Sequence, residues 1–276
     1  SKDYSRLKDA MRPGHADYTG HVKYDGYNDY RGGGHFSGRI TAPLTFAGAI
    51  AKQILAKEGI VIGAHALSVA GIMDFPFDPL GEEPDLFEKL SSMRLPVIDG
   101  EQGAAMEEAI LAAQKEGDSV GGQIECMALG LPVGMGEPFF DSLESEMAHM
   151  AFSIPAVKSI SFGDGETLAG MRGSEANDPM RYENGKVKTI TNHNGGVLGG
   201  ISNGNPLRFT VTIKPTASIG KRQETVDISK KEDTMLSIGG RHDPCIVTRA
   251  IPVVENAAAF VLLDLLLTGR RYHYGR

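Results

Sequence analysis

The chain has 276 residues, a mass of 29.5 kDa, 41% hydrophobic residues and a formal net charge of −7. This hydrophobic content is ample for a packed core. The acidic balance argues against a broad cationic face for phosphate backbones, so we expect no nucleic-acid partner. The longest apolar run, residues 257–267, is interrupted by Asp264 and falls short of the ~20 residues that span a bilayer, so we expect no membrane partner.

In the first half of the chain, the apolar residues follow helical and extended periods in turn. A helix over residues 45–57 is predicted from a shared apolar stripe, with Gly59 as its C-cap; the stripe consists of Ala47, Ile50, Ala51, Ile54 and Leu55. The same patterns predict four further segments: a strand over 59–72, a helix over 101–115, a strand over 123–131 and a helix capped by Asp141.

The second half is predicted to consist mainly of antiparallel strands. Extended structure resumes at 157–162 before a Gly163-Asp164-Gly165 turn, and alternation predicts strands over 187–191, 208–214 and 225–228. Pro252 is predicted to open a final helix that is apolar nearly all round and is therefore covered on both sides. No composition shift or repeat divides the chain, so we expect one α+β domain over residues 1–276.

The two cysteines suit a reducing compartment. Cys126 and Cys245 lie far apart without a CxxC or CxxH spacing, which argues against disulfides or structural zinc. The first residues contain no apolar signal-peptide core, which predicts a cytoplasmic protein. Because the chain also begins without Met, we expect Ser1 to be an internal position of a longer protein.

A histidine in an Arg-Pro-Gly turn is the first candidate functional group. Arg12, Pro13, Gly14 and His15 combine a guanidinium suited to phosphate or carboxylate with a proton carrier of near-neutral pKa. For a lone histidine, a loop brace hydrogen-bonded to Asp17 is the better interpretation. The neighbouring cation favours a site.

Three more clusters combine cations, hydroxyls and turn residues. Three glycines lead into His35, Phe36, Ser37 and Arg39 directly before a helix, which favours backbone donors for an anion. The end of a predicted strand is followed by five residues whose ammonium, hydroxyl and backbone N–H groups suit a phosphate group. These residues are Lys214, Pro215, Thr216, Ala217 and Ser218. A turn before the final helix places the cation of Arg241 beside Asp243. Each cluster also has an interpretation without function. The glycine cluster is then a flexible loop that caps a helix, the Lys214 cluster is the end of a strand, and Arg241 and Asp243 form a structural ion pair.

In order and spacing, these four clusters resemble the chorismate synthase family along almost the whole chain. The resemblance implies a β-α-β sandwich with helices enclosed between antiparallel sheets. The glycine cluster departs from the family's usual Gly-Gly-Gly-Arg-Ser-Ser-Ala-Arg-Glu-Thr, and His35 replaces a permanent cation there. The chain also lacks the family's N-terminal quarter with its Gly-Glu-Ser-His-Gly segment. We therefore expect these 276 residues alone to form little or no chorismate.

The family's activity gives each cluster an implied role. Chorismate synthases convert 5-enolpyruvylshikimate 3-phosphate to chorismate and phosphate with reduced FMN, for which NADPH is the indirect reductant, and they form homotetramers. The resemblance makes His15 and Asp243 catalytic, and Arg12, Arg39 and Arg241 substrate-binding. It implies an FMN site that consists of His35, Phe36, Ser37, Pro155, Ala156, Gly199, Lys214, Pro215, Thr216, Ala217, Ser218 and Arg241.

Two other interpretations stay open from the residues alone. In the first interpretation, the chain is an inactive FMN- or anion-binding remnant of such an enzyme. In the second, it is a hydrolase with a metal site. The metal hypothesis rests on four competent ligands that lie close in sequence: His15, Asp17, His21 and His35. Their HxDx3H spacing matches no supported metal motif and leaves the distant Lys214 and Arg241 clusters unexplained, so we expect no metal.

Overall fold

The computed structural model describes residues 8–239 and 242–273, with side chains up to residue 269. The α-helices are α1 Asp17–Lys23, α2 Thr41–Lys57, α3 Pro84–Ser91, α4 Gly100–Lys115, α5 Leu143–Ser153, α6 Gly173–Ala176 and α7 Val247–His273. The strands are β1 Val61–Val69, β2 Ile72–Met73, β3 Gly122–Leu129, β4 Val157–Phe162, β5 Met180–Glu183, β6 Lys186–Thr189, β7 Val197–Leu198, β8 Ile201–Ser202, β9 Leu207–Ile213, β10 Gln223–Asp227 and β11 Glu232–Leu236.

The longer predicted elements are confirmed, and three predicted helix starts are wrong. The helix predicted to begin at residue 45 begins at Thr41. Asp141 ends a short 3-10 turn, and the N-cap of α5 is Ser142, whose hydroxyl accepts a hydrogen bond from the Ser145 N–H. Pro252 lies inside α7, which already begins at Val247. Asp141 and Pro252 both resemble helix-start signals, but the N-cap of α5 is the residue after Asp141, and α7 begins at Val247, before Pro252.

A five-stranded antiparallel sheet in the order β2-β1-β3-β9-β4 forms the centre of the molecule. Helix α7 packs on one face against β1 and β3, and α2 packs against α7. The side chains that face α7 alternate along the strands with a period of two and are buried; they are Ile62, Ala64, Ala66, Ile124, Cys126, Ala128, Leu207, Phe209, Val211 and Ile213. The mixed α+β fold is therefore as predicted.

The helix layer is covered by this sheet on one side. Among the described residues, its other side leaves Phe46, Ile50 and Ile54 of α2 and Phe260 and Leu267 of α7 exposed. In α7 itself, all residues from 254 to 259 are buried between the sheet and α2, so the predicted coverage of both sides holds for this stretch and ends at Phe260. Within the described chain, the stretch from Val247 to Gly269 is the one helix long and apolar enough to cross a membrane. Most of it is buried, as in an ordinary core helix.

Helices α2 and α7 approach each other most closely at Gly48. A Cβ atom there would lie 2.1 Å from the carbonyl oxygen of Asn256. Gly48→Ala is therefore expected to lower the free energy of unfolding by about 1–3 kcal/mol, the usual cost of overpacking. Urea unfolding measures the change. Gly100→Ala is the control, because no atom lies within 4 Å of its added Cβ; equal stability of both variants would contradict the close crossing.

A network of charged side chains lies on the sheet face opposite α7. It links residues from six segments and consists of Asp74, His65, Glu125, Arg208, Asp164 and His193. The imidazole of His65 is fully buried between two carboxylates, with Nδ1 3.1 Å from Asp74 Oδ2 and Nε2 3.0 Å from Glu125 Oε2. Phe77 covers the ring at a centroid distance of 4.4 Å. The network therefore places titratable groups in the interior.

The outer half of the network leads to the surface. Arg208 donates from Nη1 to Glu125 Oε1 at 3.3 Å and from Nη2 to Asp164 Oδ1 at 2.6 Å. The other oxygen of Asp164 is 2.6 Å from His193 Nδ1. His193 is partly exposed. The charges alternate along the network from Asp74 to Asp164, so each buried charge has an opposite neighbour, as buried ions require.

Candidate functional site

A buried ion pair organises the His15 turn. Asp17, the first residue of α1, accepts hydrogen bonds from Arg12 at both carboxylate oxygens. The Arg12 backbone N–H and Nε bond Oδ2 at 3.0 and 2.7 Å, and Nη2 bonds Oδ1 at 2.7 Å. Burial alone would raise the pKa of Asp17, but the hydrogen bonds and charges of Arg12 and His15 hold that pKa well below its ordinary value. Asp17 is therefore a carboxylate at neutral pH.

The ring of His15 lies between this carboxylate and a glycine turn. Its Nδ1 is 2.7 Å from Asp17 Oδ1, in an approach too bent for an aligned hydrogen bond. Its Nε2 lies on the side of Gly33, where an added Cβ would be 3.6 Å away. With 17% of its side chain exposed, His15 is partly accessible to solvent.

The glycine turn requires its glycines. Gly32, Gly33 and Gly34 have φ values of 62°, 86° and 49°, which residues with a Cβ rarely adopt. A Cβ at Gly34 would also lie 2.6 Å from the carbonyl oxygen of Asp29. Phe36 packs its ring against Gly20 of α1, where an added Cβ would lie 2.7 Å from it. The turn is thereby held beside His15.

The residues that follow the turn differ in exposure. The Cβ of Ser37 would be 3.5 Å from one added at Gly33, and its hydroxyl accepts a hydrogen bond from the Arg39 N–H. Arg39 lies over Gly32, with Nη1 3.4 Å from an added Cβ, and is exposed. His35 is also exposed. Arg39 and His35 are therefore solvent-accessible cations or proton carriers on the rim of the turn.

The segment after β9 meets the His15 turn from the other side. The ammonium of Lys214 donates to the carbonyl oxygen of Gly14, and Arg12 Nη1 donates to Ser218 Oγ at 3.1 Å. An added Cβ at Gly14 would lie 3.7 Å from the Cβ of Ala217. These contacts join residues about 200 positions apart, so the clusters around His15 and Lys214 lie side by side in the structure.

Two more predicted residues border this segment. Ala156, after Pro155, has a φ of 76°, a conformation that costs energy for a residue with a Cβ. Its carbonyl oxygen accepts the Lys214 N–H at 3.0 Å. The Thr216 carbonyl oxygen accepts a hydrogen bond from Ser119 Oγ at 2.8 Å. The backbone at 155–156 is thus placed directly against the predicted phosphate-binding residues.

Asp243 lies at the edge of the same region. The carbonyl oxygen of Pro244 accepts the Val120 N–H at 2.8 Å, one residue from the Ser119 contact to Thr216. The Asp243 carboxylate forms an ion pair with Arg249 and accepts the Cys245 N–H at 3.1 Å. The structural alternative for Asp243 was a pair with Arg241. The arginine in contact is Arg249, and Arg241 lies outside the described residues.

Gly199 is not brought to this site. It lies in the hairpin of β7 and β8, and the neighbouring Gly200 carbonyl accepts the Leu143 N–H at the start of α5. Pro155 and Lys214 follow the far ends of α5 and β9. These elements span about 16 Å and about 20 Å respectively. Gly199 is therefore at the opposite end of the sheet from Lys214 in the same chain.

The structure also changes the interpretation of Arg12. Its side chain is buried and its guanidinium already bonds Asp17 and Ser218. This occupancy favours a positioning role over direct substrate binding. Asp17 was not among the residues predicted to act in the site, although a carboxylate two positions after a histidine is a recognisable signal for an orienting partner.

The donor set suits a phosphate-bearing cofactor better than a metal. The hydroxyl oxygen of Thr216 is buried and has no hydrogen-bond partner among the described residues. It lies in the same short segment as the Lys214 ammonium and the Ser218 hydroxyl, which are suitable donors to a phosphate. Within residues 8–239 and 242–273, no group of three or more His, Cys, Asp or Glu side chains is placed to hold a metal ion.

Fold and site together define a mixed α+β protein in which a histidine and a glycine turn lie beside a segment with an ammonium and hydroxyl groups. The model of the chorismate synthase family matches residues 1–267, and the chain belongs to this family. It is 47% identical over 267 residues to chorismate synthase of Dehalococcoides mccartyi, covering 97% of this chain and 72% of that protein. For chorismate synthase of Thermococcus kodakarensis the identity is 46% over 274 residues, with 99% and 74% covered.

A solved structure supports the same assignment. A crystal structure of chorismate synthase superposes with a TM-score of 0.76 at 26% sequence identity. The match covers 92% of this chain and 70% of that one. The relatives extend beyond the residues matched here, since the chain covers 70–74% of the lengths compared. The predicted membership of the chorismate synthase family is therefore confirmed.

Proposed function

We propose that the chain is the lyase that converts 5-enolpyruvylshikimate 3-phosphate to chorismate and phosphate with reduced FMN. One observation carries this proposal: His15, the glycine turn at Gly33 and the segment from Lys214 to Ser218 meet at one place in a chain of this family. The reaction removes phosphate and a ring hydrogen in a 1,4 sense. It belongs to the shikimate pathway.

The cations of the site suit the substrate's charge. The substrate carries two carboxylates and a phosphate, and fixed cations stabilise such groups where water is excluded. Arg39 is exposed on the rim of the glycine turn and is the described arginine best placed to reach a ligand there. Arg241 stays a predicted second partner. Arg12 supports the site through Asp17 and Ser218.

We assign the FMN phosphate to the segment from Lys214 to Ser218. The free hydroxyl of Thr216, the Lys214 ammonium and the Ser218 hydroxyl would donate to it, beside the backbone of Pro155 and Ala156. When bound, reduced FMN would supply transient electron density for the loss of phosphate. The flavin would recover that electron density at the end of the reaction, so there is no net oxidation. The turn residues His35, Phe36 and Ser37 would border the ring. Gly199 is not assigned to this phosphate site, because it lies at the opposite end of the sheet from Lys214 in the same chain.

The two predicted catalytic groups would handle protons. His15 would hold a proton at Nε2, the atom on the side of the glycine turn, and so act as an acid toward the bound flavin. Asp243 would assist removal of the ring proton. Its carboxylate is held by Arg249 and the Cys245 N–H, which would fix its orientation.

The remaining proposals concern the protein's setting. Two free, buried cysteines suit a reducing cytoplasm. The exposed apolar side chains of α2 and α7 would suit assembly, and the homotetramer of the family is the proposed form. NADPH would serve only as the source of electrons for FMN.

Anaerobic turnover with reduced FMN tests the function directly. For the chain joined to the family's N-terminal segment, we expect chorismate, detected by its absorbance, and equimolar phosphate from 5-enolpyruvylshikimate 3-phosphate. FMN binding without any product would favour the remnant hypothesis. Product whose formation requires stoichiometric metal and no flavin would overturn the proposal and favour the metal hydrolase.

Lys214→Met is expected to weaken FMN binding about 10- to 100-fold, because a charge-assisted hydrogen bond is worth about 1.5–3 kcal/mol. Difference absorbance during titration with oxidised FMN measures the dissociation constant. Lys221→Met is the matched control, since Lys221 pairs with Glu116 and Asp118 rather than with the His15 turn. Equal affinities of the two variants for FMN would contradict the assignment of the FMN phosphate to the segment from Lys214 to Ser218.

A further inference from the structure

We propose that Asp17 is a positioning residue for this reaction, which Arg12 clamps so that it fixes the ring of His15 with Nε2 toward the glycine turn. This inference rests on the proposed function. Asp17 touches neither the glycine turn nor the Lys214 segment in any described contact, so it would act through His15.

The clamp has little freedom. Three donors of Arg12 hold the carboxylate, two on Oδ2 and one on Oδ1, and the fourth group, Nη1, reaches Ser218. Both side chains are at least nine-tenths buried. The carboxylate plane is therefore fixed relative to the backbone of the turn and to the segment after β9, and His15 Nδ1 meets its Oδ1 at 2.7 Å.

The carboxylate selects one form of the neutral imidazole. Oδ1 is only an acceptor, because Asp17 is ionised. Nδ1 beside it therefore carries the hydrogen, even though the present approach is bent. The other nitrogen, Nε2, is left to gain or release a proton toward the glycine turn. A ring with the opposite tautomer would present a hydrogen-bearing Nε2 that cannot take up a proton between turnovers.

Asp17→Asn tests this arrangement because it exchanges one oxygen for an amide nitrogen. The amide oxygen should occupy the Oδ2 position, where two Arg12 donors converge, and the NH₂ should then face His15 Nδ1. We expect the neutral tautomer of His15 to change from Nδ1–H to Nε2–H, as measured by long-range ¹H–¹⁵N NMR of the histidine rings. We also expect kcat to fall about 10- to 100-fold, the scale of a misplaced catalytic group, with KM nearly unchanged.

The controls separate positioning from general damage. Asp29→Asn removes a carboxylate from another Asp-Arg pair, the exposed one with Arg31, and should leave the His15 tautomer unchanged. If Asp17→Asn does not fold, Arg12→Lys keeps the charge but loses the two-point clamp, and should convert part of the neutral His15 population from the Nδ1–H to the Nε2–H tautomer. An unchanged tautomer in both folded variants would overturn the proposal.

The NMR measurement needs neither FMN nor substrate. A tautomer change without any chorismate formation by the chain joined to the family's N-terminal segment would leave the positioning role intact and reject the proposed function. An unchanged tautomer with normal turnover would reject the positioning role and leave the proposed function intact.

Discussion

Replacement of His65 by leucine is expected to lower the free energy of unfolding by about 3–5 kcal/mol, the cost of breaking a buried ion pair. The fully buried imidazole lies between Asp74 and Glu125. Without it, two carboxylates remain in the interior with less compensation. Urea or thermal unfolding measures the loss. His149→Leu makes the same change at an exposed position of α5 and is expected to change stability little.

The same network predicts how stability depends on pH. Burial alone would lower the pKa of His65, but hydrogen bonds and charges from Asp74 and Glu125 outweigh it and raise that pKa above 6.5. The stabilisation from His65 is therefore complete below pH 6.5 and is lost as the pH rises through the folded-state pKa. The stability difference between the parent chain and His65→Leu should shrink over that rise. A constant difference would show that His65 is neutral in the folded state.

At acidic pH, protonation of Asp74 limits the stabilisation that the network provides. Burial would raise its pKa, but the bonds from His65 and from the backbone of Ile98 and Asp99 lower it below 3.8. Its contribution is present above pH 3.8 and is lost as the pH falls through the folded-state pKa. The network is therefore strongest between these limits.

The largest effect on activity is expected for His15→Ala, with kcat lower by about 10²- to 10⁴-fold, the usual contribution of a general acid. FMN and substrate binding should change far less, because the anion-binding groups lie on the Lys214 segment and on arginines. Steady-state kinetics in the complete anaerobic assay, with FMN titration alongside, separates the two effects. A normal rate would exclude His15 as the acid.

His21→Ala is the matched control for that experiment. His21 lies in α1 and packs against Gly26, away from the glycine turn. The flavin mechanism predicts nearly parental turnover for this variant. The metal hypothesis counts His21 and His15 as ligands of one ion, so it predicts a comparable loss in both variants.

The chain's local patterns determined most elements and the four clusters. Residues 101–115 and 157–162 form the predicted helix and strand within one residue at each end. Periodicity and turn chemistry succeed there because each depends on neighbours a few positions away. The clusters around His15 and Lys214 were recognisable for the same reason, since each is a short run of chemically distinctive residues.

Only the tertiary structure decided which side chains already have a bonding partner and which predicted site residues lie at the same end of the sheet. Arg12 bonds Asp17 and Ser218, Asp243 pairs with Arg249, and Gly199 lies a strand length from Lys214. The network around His65 joins side chains from positions 65 to 208 with no local signature. The physical reason is that a buried donor or charge is satisfied by whichever partner the fold brings within about 3 Å, and that partner is set by strand pairing across the whole chain.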